Sequence, residues 1–456
     1  MYIEKPHVGK LARPVYFVGG GMTDFRKRHE MKAEELIMQA ARMAVLENDL
    51  LVDGVLSFKK MVDFGVGGQF ADHFSDQLLF IAKAHDGLGL EPVGNIEVKT
   101  GGATGGSAVM TAVMAVASGL HDVVVVVGCE MMDEVSTRQG NNYIAHASCK
   151  EFEWRHGRSY TNLYNLMAQD YIHSQKEMGV DPAVVRSALS KVAIKNHHYA
   201  RSNPFAQAPA EYTEEDIVNS MAVTEPLHIL DCCLMSTGAA VCIIASEEAA
   251  SKLTATPILI DGVGAGSDTL RTGDRLPRTV PLLPNETEGM YKHLTNYPGF
   301  RAFYSARYAA YIAYNMAGIT DPLKDFDLAE THDAFTISAL QSYEDLGFRP
   351  YGLGKDFILS GDAYLGGKLP ENLSGGLIGN MHAVGATGIM QIIETGWQLQ
   401  GKWAKFHKNP EIWERFEKTM PEDIEDLQVP DAKRAVAVSH AGTASHVVVH
   451  TLRRPT

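Results

Sequence analysis

Residues 374–388 read SGGLIGNMHAVGATG, beginning at Ser374 and ending at Gly388. Five of these residues are glycine, and the stretch holds one histidine, His382. Glycine loses more conformational freedom on folding than any other residue, so a purely structural loop seldom needs so many. We therefore interpret the stretch as part of a functional site that leads into a helix over 386–399.

Three other segments lie where strands are expected to end. They are Thr100–Ser107 (TGGATGGS), His332–Phe335 (HDAF) and Ser439–Gly442 (SHAG). Taken singly, they are consistent with a tight strand-to-helix turn, a capping histidine and a hairpin turn. Together they bring histidines and a glycine-rich helix start to strand ends, where ligands gather in open α/β sheets. Several histidines in one pocket suit proton transfer and the polarisation of a carbonyl group.

Short runs rich in valine and isoleucine alternate with helical patterns along the chain. The predicted strands are 15–18, 96–98, 123–127, 240–245, 258–260, 435–438 and 447–450. The predicted helices are 31–46, 105–118, 301–316, 335–346 and 386–399. Strands that alternate with helices indicate an α/β protein. The order occurs twice, which indicates two similar halves.

The division of the chain follows from this order. Residues 130–224 are polar and irregular, which indicates an insertion over the active-site face. We therefore assign 1–129 with 225–256 to a first half, 130–224 to an inserted loop domain, and 257–456 to a second half.

Composition narrows the function classes. The formal charge of −14 argues against a nucleic-acid-binding protein, which needs a basic face, although a local patch would suffice for a small anionic ligand. No stretch approaches the roughly 20 apolar residues of a membrane span. Five scattered cysteines without a CxxC pair indicate neither a disulfide framework nor a zinc site, so we expect a cytoplasmic protein without a metal.

Several motifs follow one another in an order typical of one family. They are KNHH at Lys195–His198, NPF at Asn203–Phe205, the run Leu227–Cys233 followed by STGAA, HD and F at 332–335, and SGGLI, H and GATG within 374–388. In this order, the sequence resembles the sterol-carrier-protein type of thiolase over nearly its whole length. The resemblance implies a duplicated thiolase fold with five layers, α/β/α/β/α, an inserted loop domain and a homodimer core. It also implies acyl-CoA and CoA as substrates and products, with no covalently bound cofactor.

The sequence departs from the family pattern at the nucleophile. Such thiolases read Cys-Ala-Thr-Gly or similar in the first segment, whereas here Gly102 precedes Ala103-Thr104-Gly105. Glycine has no side chain that can carry an acyl group. The His-Pro pair of the family becomes His382-Ala383, and His440 matches a histidine that this type uses in place of a second cysteine. The resemblance therefore implies retained proton-transfer machinery, with backbone donors at the turns of Gly102 and Gly385, but no covalent catalysis.

The other cysteines offer few substitutes. Cys149 lies in the predicted insertion and is the one rival nucleophile that the sequence suggests near the site. Cys129, Cys232, Cys233 and Cys242 lie near or within apolar stretches, where burial is the ordinary interpretation.

The resemblance and the departure lead to three functional hypotheses. The first is an enzyme that makes or breaks a C–C bond next to a CoA thioester, by thiolytic or retro-Claisen cleavage, without a cysteinyl intermediate. In it His332 would hold the enolate oxygen, His382 would move the proton and His440 would support the second oxyanion or the leaving group. The second is a retro-aldolase acting on a bulky β-hydroxy acyl-CoA. The third is a non-catalytic acyl-CoA-binding or scaffold subunit.

Two further expectations concern the substrate and a partner. Loss of a side chain at residue 102 leaves room for a bulky or aromatic β-keto acyl group of the benzoylsuccinyl-CoA kind. Arg271, Arg275 and Arg278 could bind a second carboxylate if their segment folds over the pocket. Thiolase-like proteins of this type resemble subunits that pair with a small zinc-ribbon and OB-fold protein, so we expect such a partner here.

Overall fold

A computed structural model of the chain describes residues 6–278, 280–291 and 298–455. The strands are β1 Val15–Met22, β2 Phe64–Gly68, β3 Asn95–Glu97, β4 Val123–Met131, β5 Ala222–Thr224, β6 Leu227–His228, β7 Thr237–Ser246, β8 Ile258–Ser267, β9 Leu328–Glu330, β10 Arg434–Ala441 and β11 His446–Arg453. The helices of the first half and the insertion are α1 Ala33–Leu46, α2 Gly54–Lys59, α3 Phe80–Leu88, α4 Thr104–Ala117, α5 Thr137–Ala145, α6 Tyr160–Glu177, α7 Pro182–Ala200, α8 Glu214–Asn219 and α9 Glu247–Leu253. Those that follow are α10 Tyr304–Ala317, α11 Pro322–Asp325, α12 Thr336–Asp345, α13 Gly354–Leu359, α14 Val384–Gln400, α15 Trp403–His407 and α16 Pro410–Arg415.

The strand order shows the duplication directly. In the first half, β1 pairs antiparallel with β7, β7 pairs antiparallel with β4, and β4 pairs parallel with β2. The second half repeats this pattern with β8, β11, β10 and β9. A short antiparallel contact between β1 and β8, at Tyr16 and Phe17, joins the two halves into one nine-stranded sheet. The duplicated α/β fold expected from the element order is confirmed.

Helices α4 and α14 form the middle layer between the two halves of the sheet. Each contacts the other helix and strands of both halves. On the outer faces, α1 packs on β1 and β7, while α10 packs on β8 and β11. The order of layers is therefore helix, sheet, helix, sheet, helix, as the resemblance implied.

Glycines allow α4 and α14 to approach closely. A Cβ added at Gly388 would lie 2.1 Å from the amide nitrogen of Gly106, and one at Gly105 would lie 2.7 Å from the nitrogen of Gly388. Such distances leave no space for a side chain. Part of the glycine content of the stretch at 374–388 therefore serves helix packing, in addition to the function that we inferred from it.

The segment between β4 and β7 is more regular than the sequence suggested. It contains α5 to α8 and the β5–β6 hairpin, where we expected an irregular polar region. Helix α7 buries polar side chains at Lys195, Asn196 and His197, so no purely apolar stripe marks its inner face. Among the described residues, no helix is long and apolar enough to cross a membrane.

Candidate active site

Three histidines from distant parts of the chain line one cavity of about 260 Å³. His332 follows β9, His382 precedes α14, and His440 lies near the end of β10. The ring centroid of His332 is 5.0 Å from that of His382 and 4.1 Å from that of His440. The structure thus brings together the three histidines that the sequence singled out.

Apolar side chains make up much of the remaining wall. They include Phe70, Met132, Ile144, Leu234, Met235 and Phe335. This apolar lining lowers the local dielectric constant, which strengthens electrostatic interactions inside the cavity.

Burial keeps all three imidazoles neutral. It lowers the pKa of His382 to about 4. It also lowers the pKa of His440 to about 3, with further contributions from His382 and Arg275. The pKa of His332 falls well below its ordinary value because of burial and the two neighbouring histidines. At neutral pH each ring therefore offers one N–H donor and one lone pair.

A hydrogen bond to Thr387 orients the ring of His382. Nδ1 of His382 is 3.0 Å from Oγ1 of Thr387, and that hydroxyl also lies 3.1 Å from the carbonyl oxygen of Ala383, which can only accept. The carbonyl of Ala383 already accepts from the amides of Ala386 and Thr387, so the Thr387 hydroxyl can either accept from Nδ1–H of His382 or donate to Nδ1. Thr387 engages Nδ1, and in the tautomer that carries its hydrogen there, Nε2 of His382 has the lone pair and is the candidate base.

The tautomer of His440 follows from its contact with Tyr164 on α6. The hydroxyl of Tyr164 lies 2.9 Å from Nε2 of His440 and 3.0 Å from the carbonyl oxygen of Gly442. Because the carbonyl can only accept, Tyr164 donates to it and accepts from Nε2–H of His440. The lone pair of His440 is then on Nδ1. This arrangement suits uptake of a proton, and it argues against the expected role of a neutral His440 as an oxyanion donor.

Gly102 also lines the cavity, but it does not leave a void there. A Cβ at this position would lie 2.5 Å from the carbonyl oxygen of His440 and 3.3 Å from Cα of Ala441. The end of β10 therefore occupies the space into which a side chain would extend. The expected extra room at residue 102 is absent, and the size of the substrate pocket depends on the other walls.

Gly385 does not line the cavity in the way that the sequence suggested. Its amide donates to a carboxylate oxygen of Glu130 at 2.9 Å, and the amide of Phe70 donates to the same oxygen at 2.7 Å. With its N–H engaged, Gly385 cannot serve as an oxyanion donor. Gly442, the last residue of the SHAG segment, lines the cavity instead, at a positive φ of 60°.

The cysteines that line the cavity are not the one that we expected there, Cys149. Cys149 is outside the lining, and its Sγ lies 4.0 Å from a carboxylate oxygen of Glu151. Cys232 and Cys233 do line the cavity. Burial raises the pKa of Cys232 to about 12 and raises that of Cys233 further above its usual range, so both remain thiols at neutral pH. Neither has the ionised form that a nucleophile needs.

The three arginines also lie outside the lining and have protein partners. Arg275 is buried and donates to the carbonyl and the hydroxyl of Thr443. Arg278 pairs with Asp268, and Arg271 pairs with Asp274 and stacks on Phe152. A second substrate carboxylate would have to displace these partners, so the structure does not support the expected carboxylate site.

A buried polar network holds the segment around His332. Asp333 accepts from the side chain of Asn196 and, at 2.7 Å, from the amide of Leu377. Nearby, Lys195 forms an ion pair of 2.8 Å with Glu371. These contacts join the KNHH motif, the HDAF motif and the glycine-rich stretch, which explains why they occur together. Among residues 6–278, 280–291 and 298–455, no cluster of three His, Cys, Asp or Glu side chains could hold a metal ion.

Comparison with known proteins agrees with this fold. The family described as thiolase, N-terminal domain, matches residues 15–248, and the thiolase C-terminal domain-like family matches residues 290–412. An acetyl-CoA acetyltransferase of Methanothermobacter thermautotrophicus is 33% identical, over 86% of this chain and 92% of that protein. The benzoylsuccinyl-CoA thiolase subunit BbsB of Thauera aromatica is 29% identical, over 88% of this chain and 93% of that protein. A solved structure called the Ltp2-ChsH2(DUF35) aldolase superposes with a TM-score of 0.72 at 23% identity, covering 97% of this chain and 98% of that chain. The chain belongs to the thiolase family.

Proposed function

We propose that this protein cleaves or forms the C–C bond next to a CoA thioester by direct use of CoA, without an acyl group on a cysteine. The observation that carries the proposal is the composition of the cavity. Three neutral histidines line the cavity, and residue 102 is glycine. Burial keeps the two thiols of the cavity lining, Cys232 and Cys233, in the protonated form. General bases are therefore present while an ionised protein nucleophile is not.

In the cleavage direction, each step uses a group of this chain. Nε2 of His382 takes the proton of the CoA thiol, and the thiolate adds to the β-carbonyl carbon of the acyl-CoA. The Cα–Cβ bond then breaks, and its electron pair forms the thioester enolate, which His332 stabilises by a hydrogen bond. The protonated His382 returns the proton to Cα, which gives two acyl-CoA molecules. Nδ1 of His440 is a second acceptor for the moving proton.

The proposed acyl group is bulky and aromatic. The ring of Phe335 and side chains such as Met132, Ile144 and Met235 give the cavity an apolar wall that suits a large apolar group. The Thauera aromatica relative is named for benzoylsuccinyl-CoA. We therefore propose an aromatic β-keto acyl-CoA of the benzoylsuccinyl-CoA kind as the substrate, with its free carboxylate bound by groups other than Arg271, Arg275 and Arg278.

Retro-aldol cleavage of a bulky β-hydroxy acyl-CoA is the second candidate. The observation that favours it is the lack of an ionised thiol, since a retro-aldol step needs a base and an enolate-stabilising group but no nucleophile. A solved structure of similar fold is named an aldolase. The two reactions differ in one requirement, because thiolysis consumes free CoA and the aldol reaction does not.

The test combines this requirement with two histidine variants. We expect cleavage of benzoylsuccinyl-CoA to depend on free CoA, and His332→Ala and His382→Ala to lose at least about a hundredfold in rate. His85→Ala is a matched control, because His85 is also buried but lies outside the cavity. Cleavage of a β-hydroxy ester without CoA would establish the aldolase. Binding of acyl-CoA without either reaction would establish the non-catalytic subunit.

We also propose a homodimer core and a small zinc-ribbon and OB-fold partner. Strand β3 is at one edge of the sheet, with Ile96 45% exposed, so its unpaired edge is available to a second copy.

The partner protein is proposed from the names of two similar proteins. The similar bacterial relative is named a subunit, and the similar solved structure is named with a DUF35 component. Co-expression with a candidate partner, followed by size measurement, tests both. Full activity from an isolated monomer would contradict them.

A further inference from the structure

A second cavity, which we call the outer cavity, lies on the outer face of the first half. Its volume is about 420 Å³, and it shares no lining residue with the cavity of the three histidines. Helices α1, α2 and α3 form its sides, and Val125, Val241 and Ile243 of the sheet form its floor. These three side chains are at most 3% exposed, so the outer cavity extends down to the hydrophobic core.

The sides of the outer cavity are mostly apolar. They include Val45, Leu46, Phe58 and Leu88. Protein interiors are close-packed, so an apolar space of this size leaves its lining atoms without contacts on one side. Sites for small molecules are mostly apolar cavities of about 300–1,000 Å³ that contain a few polar groups. The outer cavity has the size and the composition of such a site.

The charged residues that line the outer cavity are both cations. They are Arg42 on α1 and Lys59 on α2, and no Asp or Glu is among the lining residues. The whole chain, by contrast, has 55 acidic and 41 basic residues. The local charge of the outer cavity is therefore opposite to that of the molecule, which favours an anionic ligand.

The ammonium group of Lys59 lies at the wall of the outer cavity. A Cβ added at Gly89 would be 2.8 Å from Nζ of Lys59. Gly89 stands between Leu88 and Leu90, which both line the outer cavity. The positive charge is therefore next to the apolar side chains, as a ligand with a charged head and an apolar tail requires.

Neither Arg42 nor Lys59 has an ion pair or a hydrogen bond from its side chain within the described part of the chain. Arg42 is exposed and Lys59 is half-buried. Carboxylates near the two ends of α1 are already paired with other bases, Glu34 with Lys83 and Glu47 with Arg415. Both cations are therefore free to bind an anion from solution.

We propose that the outer cavity binds an anionic amphiphile of the fatty-acid class, with its hydrocarbon tail on the floor and its carboxylate at Arg42 and Lys59. The apolar floor and sides do not suit a second charged group, so the ligand carries its charge at one end. The guanidinium of Arg42 can hold a carboxylate by two parallel hydrogen bonds. This binding is non-covalent and is separate from the C–C bond chemistry.

The carboxylate contact is tested by isothermal titration calorimetry with decanoate and with decanol, a neutral ligand of equal length. We expect decanoate to bind about tenfold more tightly, and Arg42→Gln/Lys59→Gln to abolish this difference, since two exposed ion pairs together are worth about one power of ten. Arg28→Gln/Lys60→Gln is the matched control. It removes the same charges at exposed positions outside the lining and should keep the difference.

The tail contact is tested by Ala41→Phe. Ala41 is half-buried in the wall of the outer cavity, so a phenyl group there fills part of the space. We expect Ala41→Phe to weaken the binding of both ligands at least about tenfold without lowering the unfolding temperature. If this variant does not fold, the charge variants still decide the question.

Three results would overturn the proposal. The first is a wild type that binds neither ligand, or binds both equally. The second is a preference for decanoate that survives Arg42→Gln/Lys59→Gln, which would place the ligand elsewhere, for example in the cavity of the three histidines. The third is unchanged binding in a folded Ala41→Phe protein.

Discussion

Single residues decide whether this site can work as a cysteine enzyme. Gly102 is packed against the backbone of β10, and backbone atoms cannot move aside as a flexible side chain can. We therefore expect Gly102→Cys to lower the free energy of unfolding by about 1–3 kcal/mol, as overpacking does, and not to form an acyl-enzyme.

Denaturant unfolding and intact mass after incubation with acetoacetyl-CoA check this expectation. Gly87→Ala is the control, since a Cβ there would be an ordinary 3.5 Å from Glu34. A stable Gly102→Cys protein that becomes acylated would show that the site retains its covalent chemistry.

The neutral histidines also make stability depend on pH. His440 has a folded-state pKa of about 3, whereas an unfolded histidine has about 6.5, so the unfolded chain binds more protons between these values. The stability contributed by neutral His440 is present above pH 6.5 and is lost as the pH falls towards 3. Between pH 6.5 and 3, the free energy of unfolding of the wild type should fall by about 1.4 kcal/mol per pH unit relative to that of His440→Gln as the pH is lowered. Unfolding of both proteins by urea at pH 7.5, 6 and 5 measures this, and a constant difference would contradict it.

At the residue level, the sequence predicted the parts of the site that have strong local signals. His332, His382 and His440 stand in glycine-rich or conspicuous short segments, and the structure brings them together. Tyr164 carries no such signal, and its hydroxyl contacts His440, which is 276 positions away in the chain. Gly385 was misjudged because local sequence does not show that Glu130 engages its amide.

At the level of elements, the contact between α4 and α14 positions both the Gly102 turn and His382. Gly388→Ala would place a methyl group 2.1 Å from the amide nitrogen of Gly106, so the two helices would have to separate. We expect a loss of at least about 3 kcal/mol in stability, at the upper end of overpacking effects. Thermal unfolding checks this, with Gly87→Ala as the control again. An unchanged unfolding temperature would show that the close crossing is unimportant.

Elements differed in how well the sequence revealed them. Apolar helices such as α4 and α14 were predicted to within about two residues of their ends, whereas β4 was predicted from its first residue but continues beyond residue 127 to Met131. Strand β2 was missed because three of its five residues are glycine, which weakens the strand signal. Helix α7 was missed because its inner face carries polar residues that bond to the second half, as Lys195 does to Glu371.

For the whole molecule, the duplication was predicted from the order of elements and confirmed by the pairing of β1, β7, β4 and β2 and of β8, β11, β10 and β9. The sequence did not predict the pairing of β1 with β8 that joins the halves into one sheet, because this pairing involves only a few residue pairs. The middle layer of α4 and α14 lies between the two halves, and Gly102 of the first half lines the same cavity as His382 and His440 of the second half.

The central claim is that C–C bond chemistry proceeds here without an acyl group on the protein. The most direct measurement is intact mass spectrometry of the protein during turnover of benzoylsuccinyl-CoA with CoA, before and after treatment with iodoacetamide. We expect formation of benzoyl-CoA and succinyl-CoA, no mass increase from an acyl adduct, and little loss of rate after alkylation. An acyl adduct on Cys232 or Cys233, together with loss of activity in the corresponding Cys→Ala variant, would contradict the claim.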